Sequence, residues 1–152
     1  MTKQLNTGDK APDFRLKDQN GEWVDSKALN GKKYVLFFYP KDNTPTCTKE
    51  VCNLRDFYRE IRAAGLEVFG ISPDSVQSHA RFSEKHQLPY TLLSDEDHTV
   101  AEAYGVWGEK QMYGRNYMGI LRTTFVINEK GVIEQAFHKV IAAEHANQIL
   151  QA

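Results

Sequence analysis

The sequence predicts an α/β fold, a central mixed β-sheet flanked by helices with a β-hairpin at its N-terminal end, and three observations carry it. Apolar runs of strand length alternate with amphipathic stretches of helical length. Two of the runs, "YVLFFY" (34–39) and "LEVFGIS" (66–72), are mostly apolar and are followed at once by Pro40 and Pro73, as expected of strands covered on both faces. Two further pairs of runs flank turn residues and read as antiparallel hairpins, so the sheet cannot be wholly parallel. With 152 residues, 41% hydrophobic and 26% charged, the chain 1–152 reads as one globular domain with a real core.

The elements follow in order. Residues 14–25 read as a hairpin with Asn20-Gly21 as its two-residue turn. After the strand 34–39, Thr44 is placed as an N-cap with Pro45 at the first helical position. Val51, Leu54, Tyr58 and Ile61 then recur at helical spacing until Gly65 closes a single long helix. Beyond the strand 66–72, a helix is predicted over 75–87, a short strand over 91–94 and a helix over 97–104. Residues 108–119, "GEKQMYGRNYMG", read as a Gly-flanked polar loop. "TTFVIN" (123–128) and "VIEQAFH" (132–138) flank Glu129-Lys130-Gly131 as a second hairpin, and 142–151 form the last helix. The thioredoxin-like arrangement is the compact fold that fits this order.

Charge and hydropathy exclude several classes of function. The net charge is −1, from 19 basic and 20 acidic residues spread along the chain, which leaves no electrostatic footprint for nucleic acid or anionic lipid. No apolar run approaches the roughly 20 residues that span a bilayer, and the first ten residues are polar. A cytoplasmic location is the expectation. There, two cysteines serve poorly as a structural staple and better as a redox or catalytic pair.

Both cysteines, Cys47 and Cys52, lie in "YPKDNTPTCTKEVC" (39–52). On a helix, Cys47 sits near the apolar stripe of Val51, Leu54 and Tyr58, and Cys52 is about 140° away, on the polar side. Their Cα atoms are then about 8–9 Å apart, beyond the roughly 7 Å that a disulfide tolerates. A permanent bridge is therefore awkward. A metal site lacks a second ligand pair, and the five histidines are scattered; His79 and His86 could share a helix face but read as two solvated side chains. In the first turn of its helix, Cys47 would be near free amides and the positive end of the dipole, which favours a thiolate. A buried cysteine that merely packs is the competing account, and spacing alone does not separate the two.

Pro40, Thr44 and Cys47 match the P-x-x-x-T-x-x-C active-site pattern of the peroxiredoxins. "FYPKDNTPTCTKEVC" resembles the peroxiredoxin Q subgroup, also called bacterioferritin comigratory protein, and "GDKAPDFRLKDQNG", "GVWGEK" and "GILRTTFVIN" extend the likeness through nearly the whole chain. One departure is Thr46, where the subgroup most often has glycine. The resemblance implies a thiol peroxidase on a thioredoxin fold that reduces hydrogen peroxide and organic hydroperoxides without metal, haem or flavin. It implies that Cys47 is the peroxidatic and Cys52 the resolving cysteine, and that Thr44 and Arg122 are the polar residues around the reacting sulfur. Thioredoxin, or a related dithiol protein, is the implied reductant, and a monomer the implied state. Pro40 is expected to end the strand and shield the thiol from water. Without the resemblance, Arg122 would read as a solvated residue before a strand.

Ionisation alone supplies little of such an activity. An ordinary thiol is roughly 3% ionised at pH 7, so complete ionisation gains about thirtyfold at most. Enzymes accelerate reactions at least about a millionfold. The remainder calls for donors aimed at the peroxide as its O–O bond lengthens: backbone amides around Cys47, the Thr44 hydroxyl and the Arg122 guanidinium. Two other classes compete, a dithiol–disulfide oxidoreductase and a binding module with incidental thiols. The first of these usually uses Cys-x-x-Cys.

Overall fold

The computed structural model describes residues 5–151. The elements are β1 (Arg15–Asp18), β2 (Trp23–Asp25), β3 (Lys33–Phe38), α1 (Pro45–Asp56), α2 (Tyr58–Ala63), β4 (Leu66–Ser72), α3 (Val76–His86), β5 (Thr91–Ser94), α4 (Thr99–Ala103), β6 (Trp107–Met112), β7 (Arg115–Ile120), β8 (Thr123–Ile127), β9 (Ile133–Phe137) and α5 (His145–Leu150). Seven strands form one mixed sheet in the order β2-β1-β5-β4-β3-β8-β9. β3, β4 and β5 are parallel, while β1 and β8 run antiparallel to their neighbours β5 and β3.

The central strands are buried on both faces, which is why β3 reads as a continuous apolar run. Tyr34, Leu36 and Phe38 pack with Phe69, Ile71, Tyr104 and Phe125 on one face of the sheet. Val35, Phe37 and Tyr39 alternate to the other face, against Cys47, Val51 and Leu54 of α1, Phe82 of α3 and Ile149 of α5. Gly70 permits this packing, because a Cβ there would lie 2.6 Å from the Phe37 ring.

Four local expectations need correction. The first hairpin turns through Gln19 and Asn20, with Gly21 at φ 79° and its amide on the Asp18 carbonyl. Asn20 never enters the left-handed region that a two-residue Asn-Gly turn requires. The long helix predicted to Gly65 breaks at Phe57 (φ −108°, ψ 14°), and the break turns Phe57, Tyr58 and Ile61 toward one core. Residues 108–119 are not a loop but most of a two-stranded hairpin, β6 and β7, closed at Tyr113 and Gly114 with φ of 53° and 76°. Two positive φ values give the type I′ turn that matches strand twist. This hairpin stands off the main sheet with an exposed tip, so burial never imposed the alternation that marks a strand. Lastly, His79 is fully buried rather than solvated. It follows Val76 by three residues and precedes Phe82 by three, on the inward face of α3.

Candidate active site

The site forms where β3 and β8 meet the start of α1. Pro40 follows β3 as expected, and the chain turns at Asn43, which takes φ 64°. Asparagine tolerates that conformation better than most residues. Thr44 then occupies the N-cap position and Pro45 opens the helix. The Thr44 hydroxyl does not cap, however: it donates to the Lys41 carbonyl at 3.0 Å, and among the described residues it makes no hydrogen bond with Cys47. The hydroxyl closes the preceding turn instead. Its lone pairs are left unused.

Cys47 is the third residue of α1 and is 1% exposed. Thr46 lies in the same helix with an ordinary negative φ, so its side chain is accommodated where glycine is usual in the resembling subgroup. Antiparallel pairing sets Thr123 of β8 opposite Phe38, which brings Arg122 beside the end of β3. The Arg122 guanidinium bridges the site: Nη2 donates to Cys47 Sγ at 3.2 Å and Nη1 to Glu50 Oε1 at 2.5 Å. Its side chain is 18% exposed, so this is no solvated edge residue. Cys47 and Arg122 are thus brought together, Pro40 and Thr44 frame the entrance turn, and Cys52 faces elsewhere.

Glu50 was not assigned a role from sequence, yet it completes the cluster. It lies three residues after Cys47, on the same helix face, and is fully buried. A carboxylate on an apolar stripe is the signal that would have found it. Burial pushes its pKa up to about 7, with the Arg122 charge and hydrogen bond pulling the other way. Among the described residues its second oxygen, Oε2, has no hydrogen-bond partner, and it lies 3.9 Å from His145 Nε2. His145 is itself fully buried; Nε2 lies 2.7 Å from the Thr124 hydroxyl and Nδ1 2.8 Å from Gln148 Oε1. Burial lowers its pKa to about 4, so it is neutral near pH 7. The hairpin contributes as well. Lys110 of β6 has its pKa lowered by burial and then by Arg122, with Cys47 acting oppositely, so its ammonium sits within the field of both.

A second buried network fixes the turn before α1. The Asp42 carboxylate accepts from Tyr39 at 2.7 Å and from Ser78 at 2.8 Å, and lies 2.8 Å from His79 Nδ1. The Asp42 amide donates to Asp74. His79 Nε2 faces the Leu93 carbonyl at 2.9 Å. Asp42 is held below the usual carboxylate range; burial, which opposes this, is outweighed by His79, Tyr39 and Ser78 together. The turn carrying Pro40 and Thr44 is therefore tied to β4, β5 and α3.

Cys52 is half-buried on the opposite side of α1, its Sγ 3.7 Å from His86 Nδ1 on α3. Both cysteines are free thiols in one unbroken helix. A broad surface groove, lined by Lys33, Tyr34, Glu67 and Glu129, lies at the start of β3, the end remote from Cys47. Chemistry rather than concavity marks this site.

Comparison with known proteins agrees with this geometry. Residues 7–136 match the AhpC/TSA family. The chain is 48% identical over 146 residues to a putative peroxiredoxin bcp of Coxiella burnetii, covering 96% of this chain and 97% of that one. It is 46% identical to the peroxiredoxin Bcp of Escherichia coli K12, covering 96% and 94%. The solved bacterioferritin comigratory protein of Xanthomonas campestris superposes with a TM-score of 0.85 at 38% identity, covering 91% of this chain and 88% of that one. The thioredoxin-like sheet, the cysteine at the head of α1 and relatedness over nearly the whole chain lead to one conclusion: this chain belongs to the AhpC/TSA family, and it is a peroxidase of the Bcp peroxiredoxin type.

Proposed function

We propose that the protein reduces hydrogen peroxide and organic hydroperoxides through Cys47 and closes each turnover with a Cys47–Cys52 disulfide that thioredoxin reopens. The Cys47–Arg122 contact carries the reading. A thiolate at 3.2 Å from a guanidinium, in the first turn of a helix, is stabilised by the cation and the helix dipole together. Attack on one peroxide oxygen leaves Cys47 as a sulfenic acid and releases water or an alcohol. Charge moves onto the leaving oxygen as the O–O bond stretches. Arg122 keeps donors in reach of that oxygen, and the Thr44 hydroxyl, already donating to Lys41, can accept from a protonated peroxide. Organic substrates enter the proposal through the Xanthomonas relative, which was studied for alkyl peroxide reduction.

The second step demands movement. Helical geometry separates Cys47 and Cys52 by about 8–9 Å at Cα, so α1 must unwind before they can bond. The disulfide then breaks by exchange with a dithiol protein. We place the protein in a reducing cytoplasm, acting as a monomer, with residues 1–152 as a single functional unit. Among the described residues no helix is long and apolar enough to cross a membrane. Steady-state peroxide consumption with and without thioredoxin tests the proposal. Fast turnover that requires thioredoxin is expected, with an intramolecular disulfide seen by mass. Reduction of protein disulfides without peroxide consumption would favour a dithiol oxidoreductase instead.

A further inference from the structure

The resolving thiol has a partner of its own. Cys52 Sγ lies 3.7 Å from His86 Nδ1, across the contact between α1 and α3. The imidazole is held edge-on to Phe82, with ring centres 5.0 Å apart, and Arg55 Nη1 donates to the His86 carbonyl at 2.8 Å. Phe82 packs the ring in place within α3, and the Arg55 contact ties the end of α3 to α1. We propose that His86 is a catalytic residue of the resolving half-reaction, the base that takes the Cys52 proton before α1 opens. The proposal rests on the Cys47–Cys52 route above and assigns that route its missing base.

The step balances without a further reactant. Neutral His86 accepts the thiol proton at Nδ1. The Cys52 thiolate donates an electron pair to Cys47 Sγ, the S–O bond of the sulfenic acid breaks, and the departing hydroxide leaves as water with the proton. Cys52 is oxidised and the sulfenic sulfur reduced, on the oxidising equivalents that the peroxide supplied. The charges around the pair act on both partners. Burial first, then Lys85 and Arg55, lowers the His86 pKa, which leaves the ring neutral and able to accept near pH 7 but makes it a weaker base. Arg55, one turn on from Cys52 and paired to Asp56 at 2.9 Å, places a cation beside the developing thiolate. The remaining titratable neighbour, Tyr90, is buried with its hydroxyl on the Val51 carbonyl at 2.7 Å, and burial raises its pKa well above the ordinary value, so it stays neutral.

A rapid-mixing experiment with one equivalent of hydrogen peroxide, quenched and read by mass, separates sulfenic acid formation from disulfide closure. At pH 7, His86→Ala should slow closure by up to about a hundredfold, the low end of what a positioned general base contributes. The deficit should shrink as pH rises and hydroxide takes over the proton transfer, and added imidazole should restore part of it at pH 7. His86→Gln should behave like alanine, since an amide is no base. A full rate in His86→Gln, or a deficit that persists unchanged at high pH, overturns the proposal and leaves His86 a packing role. Alkylation of Cys52 in a Cys47→Ser background gives an independent readout. Its rate at pH 7 should fall when His86 is replaced, and an equal rate again overturns the proposal. No peroxide consumption by the unmodified protein would instead strike the peroxidase reading itself.

Discussion

The two thiols share one helix and two unlike environments. Around Cys47 the cluster draws on α1, the residue before β8 and α5: Arg122 touches the thiol, Glu50 pairs with Arg122 and His145 lies beside Glu50, the last two fully buried. Around Cys52 they come from a helix–helix seam that solvent reaches, with His86 and Arg55 both half-exposed. The Cys52 end of α1 is held by separable polar contacts: Asn53 to Ala143 and Ala146, Arg55 to His86 and Tyr90 to Val51. Each such bond has a net worth of about 1 kcal/mol. One half of α1 is enclosed beside a cation, and the other lies on a seam that is partly exposed.

The sharpest break between the halves is chemical. Cys47→Ser should abolish peroxide reduction, because a serine hydroxyl is not ionised near neutral pH. Cys52→Ser should consume about one equivalent and stall as a sulfenic acid open to overoxidation. Mass analysis after one equivalent distinguishes them, and equal loss in both variants would remove the division of labour. Arg122→Ala comes next, with roughly a hundredfold to a thousandfold loss in single-turnover rate, the scale on which a preorganised donor acts. Rates measured across pH test its role: full recovery at high pH would leave Arg122 only to ionise Cys47. Arg122→Lys should rescue in part, since an ammonium cannot bridge Cys47 and Glu50 with one rigid fork.

What could be read from the sequence follows the same division. β3, β4, β5 and the start of α1 were legible because burial on both faces and a proline at the first helical position leave strong marks. Cys47, Thr44, Pro40 and Arg122 came from motif resemblance, and for Arg122 nothing else would have sufficed. Its place depends on the pairing of Phe38 with Thr123, a contact between segments 85 positions apart that no local pattern encodes. His145 and Lys110 were invisible for the same reason, each arriving from a distant element. His79, held by Asp42, illustrates a different failure. Buried polar residues that satisfy one another look, in sequence, like solvated ones.

Loosening the Cys52 end should be measurable without touching either thiol. Asn53 Oδ1 accepts from the Ala146 amide at 2.7 Å and its Nδ2 donates to the Ala143 carbonyl at 3.1 Å, pinning α1 to the C-terminal segment. Asn53→Ala should cost about 1–3 kcal/mol of stability, read as a lower Tm, while speeding disulfide closure severalfold if unwinding limits it. Amide hydrogen exchange over residues 44–56 gives the companion measurement. Protection is expected in the reduced protein and loss of it in the disulfide form. Equal protection in both, with the intramolecular bond present, would mean that α1 need not open.

The smallest expected effect lies at the Cys47 end and turns on pH. Glu50 is raised from 4.5 to about 7, chiefly by burial. For an acid raised on folding, the stabilisation is complete below the unfolded value and is lost as pH climbs through the folded one. Glu50 should therefore erode stability between about pH 5 and 8, and Glu50→Gln should remove that slope. His145, lowered from 6.5 to about 4 by burial first, acts in reverse: its contribution is present above 6.5 and is lost as pH falls toward 4. The two windows overlap, so the opposing slopes largely cancel between about pH 4.5 and 6.5, and Glu50→Gln should expose the His145 slope alone. Activity feels Glu50 through Arg122. Once ionised, the carboxylate competes with Cys47 and peroxide for the guanidinium charge, so it should restrain the rate above pH 7 relative to a neutral side chain. Glu50→Gln should accordingly show a steeper rise in the Cys47 oxidation rate from pH 6 to 8.5 than the unmodified protein, by no more than severalfold. Superimposable profiles would mean that Glu50 does not change charge in this range and that Arg122 shares its cation with a constant partner.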